Sequence, residues 1–394
     1  MKLKIGSPVS GDNFYPRTQV VERLKRALKR DNVSFLAPRR TGKTSILIHL
    51  EENADKNHPH FRINLETCTS PADMISAMIK PFHDLNPRWR KSLERVSGRI
   101  SDSLRHINTV KIGPVGISVS HDKNAWQRPA EKFLEELLKY DGPITFLLDE
   151  FPIMVNAAAN SDRDGCEAML RWFREWRQRT IDNQIRFLVT GSIGLESVVR
   201  KHGFADTVND FDSIDLPPLT DVEGVDFVQQ LAEGCDLSLD GDIAKQMLQH
   251  IGNAWPYFLQ IYVAELEDAQ GSSALIDSAF LERVYREKMV VGIRNKYLPH
   301  MWTRLDKAFS VEEAKLARSI LRGVAGVDSG LSNEQLEEAA CSSLPNSTTL
   351  DETSFSYVLN ALKHDGYLFQ RTEKPFNTVF FSNLLRDYWV RHYG

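Results

Sequence analysis

The sequence has few of the features that mark exported proteins, membrane proteins or proteins whose fold is stabilised by a metal ion. Only four cysteines occur in 394 residues, and positions 68, 166, 235 and 341 give no paired spacing for a metal site or a disulfide framework. No uninterrupted apolar run approaches the roughly 18 residues that a membrane-spanning helix needs, and Met1 to Pro8 shows no export signal. We therefore expect a cytoplasmic protein with reduced thiols and no membrane partner.

An excess of charge of either sign is also lacking. The chain has 49 basic and 53 acidic residues, and the net charge of −4 gives no overall field that would attract nucleic acid. Any contact with DNA must therefore come from a local patch. With 42% hydrophobic and 26% charged residues, the composition is that of an ordinary water-soluble protein of two or three domains.

What the sequence does contain is a phosphate-binding loop between a strand and a helix. Residues 33 to 45 are Val-Ser-Phe-Leu-Ala-Pro-Arg-Arg-Thr-Gly-Lys-Thr-Ser, an apolar strand that leads into a Gly-Lys-Thr turn and a helix. Glycine lets the backbone approach a phosphate, and the N–H groups at the helix start point toward it. Lys43 would reach the β- and γ-phosphates, and the Thr44 hydroxyl would bind Mg²⁺. The predicted nucleotide-binding residues here are Pro38, Arg39, Arg40, Thr41, Gly42, Lys43, Thr44 and Ser45.

One position departs from the pattern G-x-x-x-x-G-K-[ST], because Ala37 stands where the first glycine would be. The replacement is harmless if position 37 does not need a positive φ angle. A short Gly-Lys-Thr match also arises by chance in long chains. The interpretation therefore depends on a second motif.

That second motif is an apolar segment that ends in two acids. Residues 143 to 151, Pro-Ile-Thr-Phe-Leu-Leu-Asp-Glu-Phe, predict a buried parallel strand. Such a strand delivers its last side chains to the carboxyl edge of the sheet, beside a bound phosphate. We assign Asp149 to the Mg²⁺ shell and Glu150 to the attacking water, which together predict Mg²⁺-dependent hydrolysis of ATP to ADP.

The next predicted strand, from Ile185, ends in Thr190-Gly191-Ser192, one strand away from Asp149. A hydroxyl there can sense the γ-phosphate; Ser192 is our choice and Thr190 the alternate. The following helix carries Arg200 at its end, which is either an arginine finger for a neighbouring subunit or a surface arginine. Residues 211 to 219 predict a last strand followed by the exit from the sheet.

Together these motifs resemble those of AAA-type ATPases of the archaeal-ATPase and STAND-like group, related to the origin-recognition and Cdc6-like ATPases, and especially its uncharacterised bacterial members. The segment Ala37 to Thr44, with its Pro-Arg-Arg, is the most distinctive match. The implied fold class is α/β, with a parallel-sheet P-loop NTPase core over residues 1–218, an α-helical lid over 219–299 and a C-terminal winged-helix domain over 300–394.

The resemblance also implies contacts with the nucleotide base. Asp12 to Arg17, an aromatic followed by an arginine ahead of a helix, would lie over the base; the alternative is a plain N-terminal helix with a solvated Arg17. Residues 251 to 260 resemble the group's G-x-P element, in which Pro256, with Trp255 or Tyr257 beside it, couples the lid angle to the nucleotide state. Pro256 also suits the first turn of a helix, and the two interpretations are compatible.

Three further segments have open interpretations. Apolar and other residues alternate along 109–120 on both sides of Gly113-Pro114, which predicts a β-hairpin insertion of unassigned purpose. Residues 87–105 are rich in arginine and include Trp89, which indicates either a solvated helix or a patch that tracks phosphates. The C-terminal region predicts three helices and a hairpin, the pattern of a winged helix, but its third helix offers only Lys363 and His364 to DNA. Protein docking or autoinhibitory packing on the ATPase core is the alternative.

Three functions remain open. The first is an ATP-hydrolysing switch that assembles or remodels a partner, the second an ATP-gated DNA-binding regulator, and the third a scaffold that holds nucleotide without turnover. The presence of both Asp149 and Glu150 favours the first. The expected cofactors are ATP or ADP and Mg²⁺, and the partners to consider are further copies in a homo-oligomer, a protein and DNA.

Overall fold

The computed structural model describes residues 1–113, 116–122, 124–180, 185–270, 276–291, 297–343 and 352–393. The chain forms two compact units. The sheet unit consists of Pro16–Ala37 and Lys43–Leu216, and the helical unit consists of Met1–Tyr15, Pro38–Gly42 and Pro217–Gly394. Pro114, in the turn of the predicted hairpin, lies outside the described residues.

The sheet unit is built around a parallel sheet. Its strands are β1 (Val33–Leu36), β2 (His60–Asn64), β3 (Val110–Gly113), β4 (Gly116–Val119), β5 (Ile144–Asp149), β6 (Ile185–Gly191) and β7 (Asp212–Ser213). Its helices are α1 (Thr18–Leu28), α2 (Lys43–Glu52), α3 (Pro71–His83), α4 (Pro87–Arg105), α5 (Gln127–Leu138), α6 (Phe151–Ser161), α7 (Arg163–Arg179) and α8 (Leu195–His202). The parallel sheet has the strand order β2-β5-β6-β1-β7, and β3 and β4 form a separate antiparallel pair, as predicted for residues 109–120.

The last strand of the parallel sheet is short. Within residues 211–219, which predict a strand and the exit from the sheet, Asp212 and Ser213 pair with β1. The Ile214 amide still donates to the Ser34 carbonyl at 2.9 Å. Pro217 and Pro218 follow, and because proline has no backbone N–H, the ladder cannot continue through them.

A row of phenylalanine side chains in register holds the central strands together. Phe61 of β2 pairs with Phe146 of β5, which pairs with Phe187 of β6. The ring centroids of the two pairs are 5.9 and 5.3 Å apart, and Trp176 of α7 lies 5.4 Å from Phe187. This apolar packing fixes β5 and β6 side by side, so the polar residues that end each strand meet at one edge of the sheet.

Arg177, on α7, binds a loop of the same unit. The Arg177 side chain is 0% exposed and donates hydrogen bonds of 2.9 and 2.6 Å to the Asp210 carboxylate. Its guanidinium also lies 4.7 Å from the ring centroid of Phe173 and 4.2 Å from that of Phe211. Arg177 is therefore an interior anchor of the loop that follows α8.

The arginine-rich helix α4 lacks an exposed aromatic among its described residues. Trp89 is only 3% exposed and packs in the apolar core of the sheet unit. Arg88 donates to the carbonyl oxygens of Glu52 and Ala54, and Arg99 pairs with Glu136 at 3.2 Å. With Trp89 buried, the phosphate-tracking interpretation of residues 87–105 loses the stacking side chain on which it depended.

The helical unit has one continuous apolar core that runs from Leu219 to Trp389. Its helices are α9 (Asp221–Glu233), α10 (Gly241–Ile251), α11 (Pro256–Gln270), α12 (Ser278–Val284), α13 (Tyr297–Ala308), α14 (Val311–Ala325), α15 (Asn333–Ser343), α16 (Glu352–His364) and α17 (Asn383–Tyr393), and its strands are β8 (Leu368–Gln370) and β9 (Thr378–Phe380). Capping boxes are present at Thr220 with Glu223 and at Ser310 with Glu313. Three helices, α14 to α16, precede the β8–β9 hairpin, in the order from which the sequence predicts a winged helix.

None of the helices described combines the length with the apolar character that crossing a bilayer demands.

Candidate nucleotide-binding site

The loop that connects β1 with α2 has the backbone of a phosphate-binding turn. Gly42 has a φ angle of +103°, a conformation that favours glycine. Ala37 is not among the described residues with positive φ, so the replacement of the first glycine costs nothing in backbone strain, as expected. The Thr41 hydroxyl donates to the Pro38 carbonyl at 2.8 Å, which closes the turn.

Lys43 begins α2 and is buried. Its ammonium donates to the carbonyl oxygen of Ala37 at 2.5 Å, so the side chain folds back along the loop. The first turn of α2 also presents the backbone N–H groups of a helix start, which attract an anion. Ser45 lies in this turn and is buried.

The acidic strand delivers Asp149 to this helix. The Thr44 hydroxyl donates to Oδ2 of Asp149 at 2.9 Å, which joins the two motifs directly. Asp149 is 3% exposed, and within the described residues its other oxygen, Oδ1, is buried with no hydrogen-bond partner. Burial raises the pKa of Asp149, and the hydrogen bond from Thr44 opposes that shift. A hard cation would satisfy the unpaired oxygen and offset the cost of burying the charge, so Thr44 and Asp149 fit a Mg²⁺ ion.

Glu150 follows in a strained backbone conformation. It has φ of 58° and ψ of 33°, in the left-handed region, at the residue that precedes α6. Its Oε2 accepts two hydrogen bonds of 3.0 Å from Ser192, one from the backbone N–H and one from the hydroxyl. The space around this contact is tight, because a Cβ added at Gly191 would lie 2.5 Å from Cδ of Pro152.

The Thr190 hydroxyl, unlike that of Ser192, makes no hydrogen bond within the described residues. Thr190 directly follows Val189, the partner of Leu148, and therefore lies beside Asp149 on the neighbouring strand. Its hydroxyl is fully buried and has no hydrogen-bond partner in the described part of the chain. The structure thus leaves the alternate sensor hydroxyl available beside the metal-binding carboxylate, while the hydroxyl of Ser192 is bonded to Glu150.

The remaining predicted residues lie in different surroundings. Arg17, in the sheet unit, is 6% exposed, so the alternative of a solvated arginine is wrong. Arg200 is exposed in the last turn of α8, and no ion pair with Asp149 or Glu150 is formed among the described residues. Pro256 is the first residue of α11, the position that suits proline. Arg39 is exposed.

Two features of the site were not expected from the sequence. One is the pairing of Glu150 with Ser192, although both residues stand at the ends of neighbouring strands. The other is Asn64, the last residue of β2, which is in register with Asp149. A single asparagine after an apolar strand belongs to no recognisable spacing, so no sequence signal marks it.

Comparisons with known proteins show similarity to solved structures. No protein-family model matches the sequence, and no curated protein does. The chain is similar to the solved structure of the Walker-type ATPase PABY2304 of Pyrococcus abyssi, with 12% identity, a TM-score of 0.63 and coverage of 98% of this chain and 99% of that chain. It is also similar to the Aeropyrum pernix ORC2 protein in its ADPNP–ADP complexes, with 15% identity, a TM-score of 0.52 and coverage of 96% and 95%.

These similarities define the class of the fold. The chain has the fold of the Walker-type ATPase PABY2304 and of the ORC2 protein, and the α/β fold class expected from the sequence is confirmed. The bacterial membership, the domain boundaries and the winged-helix assignment stay predictions.

Proposed function

We propose that the protein is a Mg²⁺-dependent ATPase that works as a switch, in which the nucleotide state controls the lid and the C-terminal elements and thereby assembly or partner binding. The observation that carries this proposal is the 2.9 Å hydrogen bond from Thr44 to Asp149, beside a buried carboxylate oxygen without a partner among the described residues. Such an arrangement is costly unless a cation completes it.

The roles of the other residues follow from their chemistry. The N–H groups at the start of α2 and the Lys43 ammonium would bind the β- and γ-phosphates, the ammonium leaving the Ala37 carbonyl to do so. A Mg²⁺ ion held by Thr44 and Asp149 would neutralise charge on the phosphate oxygens. Glu150 would orient and polarise the attacking water, and Thr190 or Ser192 would report the presence of the γ-phosphate.

The DNA-binding alternative has weaker support. Lys363, one of the two bases near the end of α16, donates to Gln370, and burial lowers the pKa of its ammonium. A DNA-reading helix instead presents its cations to phosphates. We therefore favour a protein partner, for which we propose a further copy of this chain with Arg200 acting across the interface. The cytoplasmic location expected from the sequence is part of the same proposal.

The test measures ATP binding and hydrolysis by the full chain with and without Mg²⁺. Lys43→Ala should abolish binding, whereas Lys91→Ala, which removes an exposed lysine of α4, should bind as the unaltered protein does. Tight ATP binding by Lys43→Ala would refute the role given to that side chain. A size measurement with a non-hydrolysable ATP analogue tests assembly, and a monomer both with and without the analogue would remove the role of Arg200 in trans.

A further inference from the structure

His250 lies in the last turn of α10 and is half-buried within the helical unit. Its Nδ1 atom lies 2.8 Å from the hydroxyl oxygen of Tyr262 on α11, and its Nε2 atom lies 3.1 Å from Oε2 of Glu282 on α12. The Tyr262 hydroxyl in turn donates to the Leu281 carbonyl at 3.1 Å. These three contacts join α10 to α11 and α12, and we call the four residues the His250 cluster.

The contacts of the His250 cluster determine how many protons the imidazole must carry. An ionised carboxylate only accepts hydrogen bonds, so the contact with Glu282 requires a proton on Nε2. The single proton of the Tyr262 hydroxyl is donated to Leu281, so the contact with Tyr262 requires a proton on Nδ1. All three contacts therefore form together when the imidazole is charged.

A neutral imidazole has to give up one of the three contacts. If its proton is on Nδ1, the lone pair of Nε2 faces the Glu282 carboxylate, and the two repel each other. If its proton is on Nε2, the Tyr262 hydroxyl has to turn from the Leu281 carbonyl to Nδ1. Loss of one proton therefore changes the hydrogen bonds between α10 and the two helices beside it.

Charges on each element packed against the imidazole act on its proton. Burial has the largest effect and lowers the pKa of His250 from its usual 6.5; Glu282 on α12 and Asp387 on α17 oppose the shift, and Arg286, after α12, adds to it. Burial also raises the pKa of Tyr262, so its hydroxyl keeps its proton. Within this set of groups, the imidazole is thus the one that titrates on mild acidification, below pH 6.5.

Tyr285 connects the imidazole with α17. Its ring stacks on that of His250, with centroids 4.6 Å apart and an angle of 30° between the planes. Its hydroxyl donates to Oδ2 of Asp387 at 2.7 Å, and Arg386 pairs with the same carboxylate at 3.1 Å. Burial raises the pKa of Tyr285, so this donor also keeps its proton. A shift of the imidazole therefore reaches α17 through a single ring.

Tyr285 also begins a π-helical turn, Tyr285–Met289, directly after α12. The backbone N–H of Val290 donates to the Tyr285 carbonyl at 3.0 Å across this turn. Single π-helical turns are rare and occur often at functional sites. The backbone beside His250 is thus irregular at the point where the ring of Tyr285 meets the imidazole.

We propose that the His250 cluster is a pH-sensitive switch, which closes when the imidazole is charged and opens when it is neutral, and which thereby changes how α12 and the π-helical turn are held against α10. The carboxyl end of α10 suits such a charge, because the helix dipole favours a cation there. The switch does not depend on nucleotide binding, since every residue of the cluster lies in the helical unit.

The test is hydrogen exchange of the backbone amides of residues 281–290 in the full chain, measured about one pH unit below and above 6.5 and corrected for the intrinsic effect of pH on exchange. Protection should be about threefold or more higher at the acidic pH. His250→Gln should remove this difference. His106→Gln, at an exposed histidine of the sheet unit, should respond as the unaltered protein does.

Glu282→Gln tests the count of protons. A glutamine amide can donate to an unprotonated Nε2, so the cluster should close around a neutral imidazole and the amides should be protected equally at both pH values. The Glu282 side chain is 43% exposed, so this variant keeps the test decisive even if His250→Gln fails to fold.

Nitrogen NMR of labelled histidines gives the charge of the imidazole directly, and the signal that His250→Gln loses identifies it. Charging of His250 at the same pH as the rise in protection would support the switch. Equal protection of residues 281–290 at the two pH values in the unaltered protein would overturn it. So would a difference that persists in His250→Gln or in Glu282→Gln.

Discussion

Replacement of Glu150 by glutamine separates nucleotide binding from hydrolysis. In the structure, Oε2 of Glu150 accepts two hydrogen bonds of 3.0 Å from Ser192. A glutamine amide oxygen can accept the same two bonds, so the turn between β5 and α6 should keep its conformation. What glutamine lacks is the basic carboxylate that would polarise a water molecule.

The expected changes in folding stability and in hydrolysis rate follow from these contacts. Changing each bond from charge-assisted to neutral costs about 1 kcal/mol, or about 2 kcal/mol for the pair, which an ordinary domain tolerates. Loss of a general base lowers the rate about 10²–10⁴-fold, which corresponds to about 3–5 kcal/mol in the barrier.

The assay is single-turnover hydrolysis of ATP with Mg²⁺, together with equilibrium binding of ATP. Glu150→Gln should bind ATP at least as tightly as the unaltered protein and hydrolyse it about 10²–10⁴-fold more slowly. Glu196→Gln, which removes an exposed acid in the first turn of α8, is the matched control. A Glu150→Gln protein that hydrolyses ATP at the unaltered rate would refute the assignment of Glu150 to the attacking water.

Three further predictions concern stability. Burial lowers the pKa of His60 from 6.5 to about 4, so its contribution is complete above pH 6.5 and is lost as pH falls toward 4; unfolding titrations should show up to about 3 kcal/mol of acid destabilisation that His60→Gln reduces. Arg177→Met leaves the Asp210 carboxylate without its partner and should cost about 3–5 kcal/mol in denaturant unfolding, part of which the double change with Asp210→Asn restores; a loss below about 1 kcal/mol would contradict the anchoring role. Gly191→Ala places a Cβ 2.5 Å from Pro152 and should destabilise by about 1–3 kcal/mol, whereas unaltered melting would show that the strand end has room.

The parts of the fold that local sequence patterns specify were predictable. The Gly-Lys-Thr turn requires a strand before it and a helix after it, and both are present as β1 and α2. The apolar run that ends at Asp149 is β5, and the next polar strand end lies on β6 beside it, as expected. The capping boxes at Thr220 and Ser310 begin α9 and α14. Each of these signals lies within a few consecutive residues.

The features that depend on distant residues were not predictable in this way. The left-handed conformation of Glu150 is stabilised by Ser192, which is far away in sequence. The grouping of Pro38–Gly42 with the helical unit depends on contacts that no periodicity encodes. Residues 211–219 were predicted as a last strand and the exit from the sheet, but the point where the strand ends, at Ser213, could not be read from the pattern.

The shared apolar core of the helical unit has a practical consequence for shortened forms of the protein. Because Trp255 stacks on Phe381, cutting the chain ahead of α13 would uncover an indole and the apolar surface around it. Such a fragment should aggregate on expression even though its sheet unit is complete. A partial gene that ends near residue 300 would therefore yield insoluble material, and trimming either end would also remove core contacts, since Met1 and Tyr393 both pack against that core.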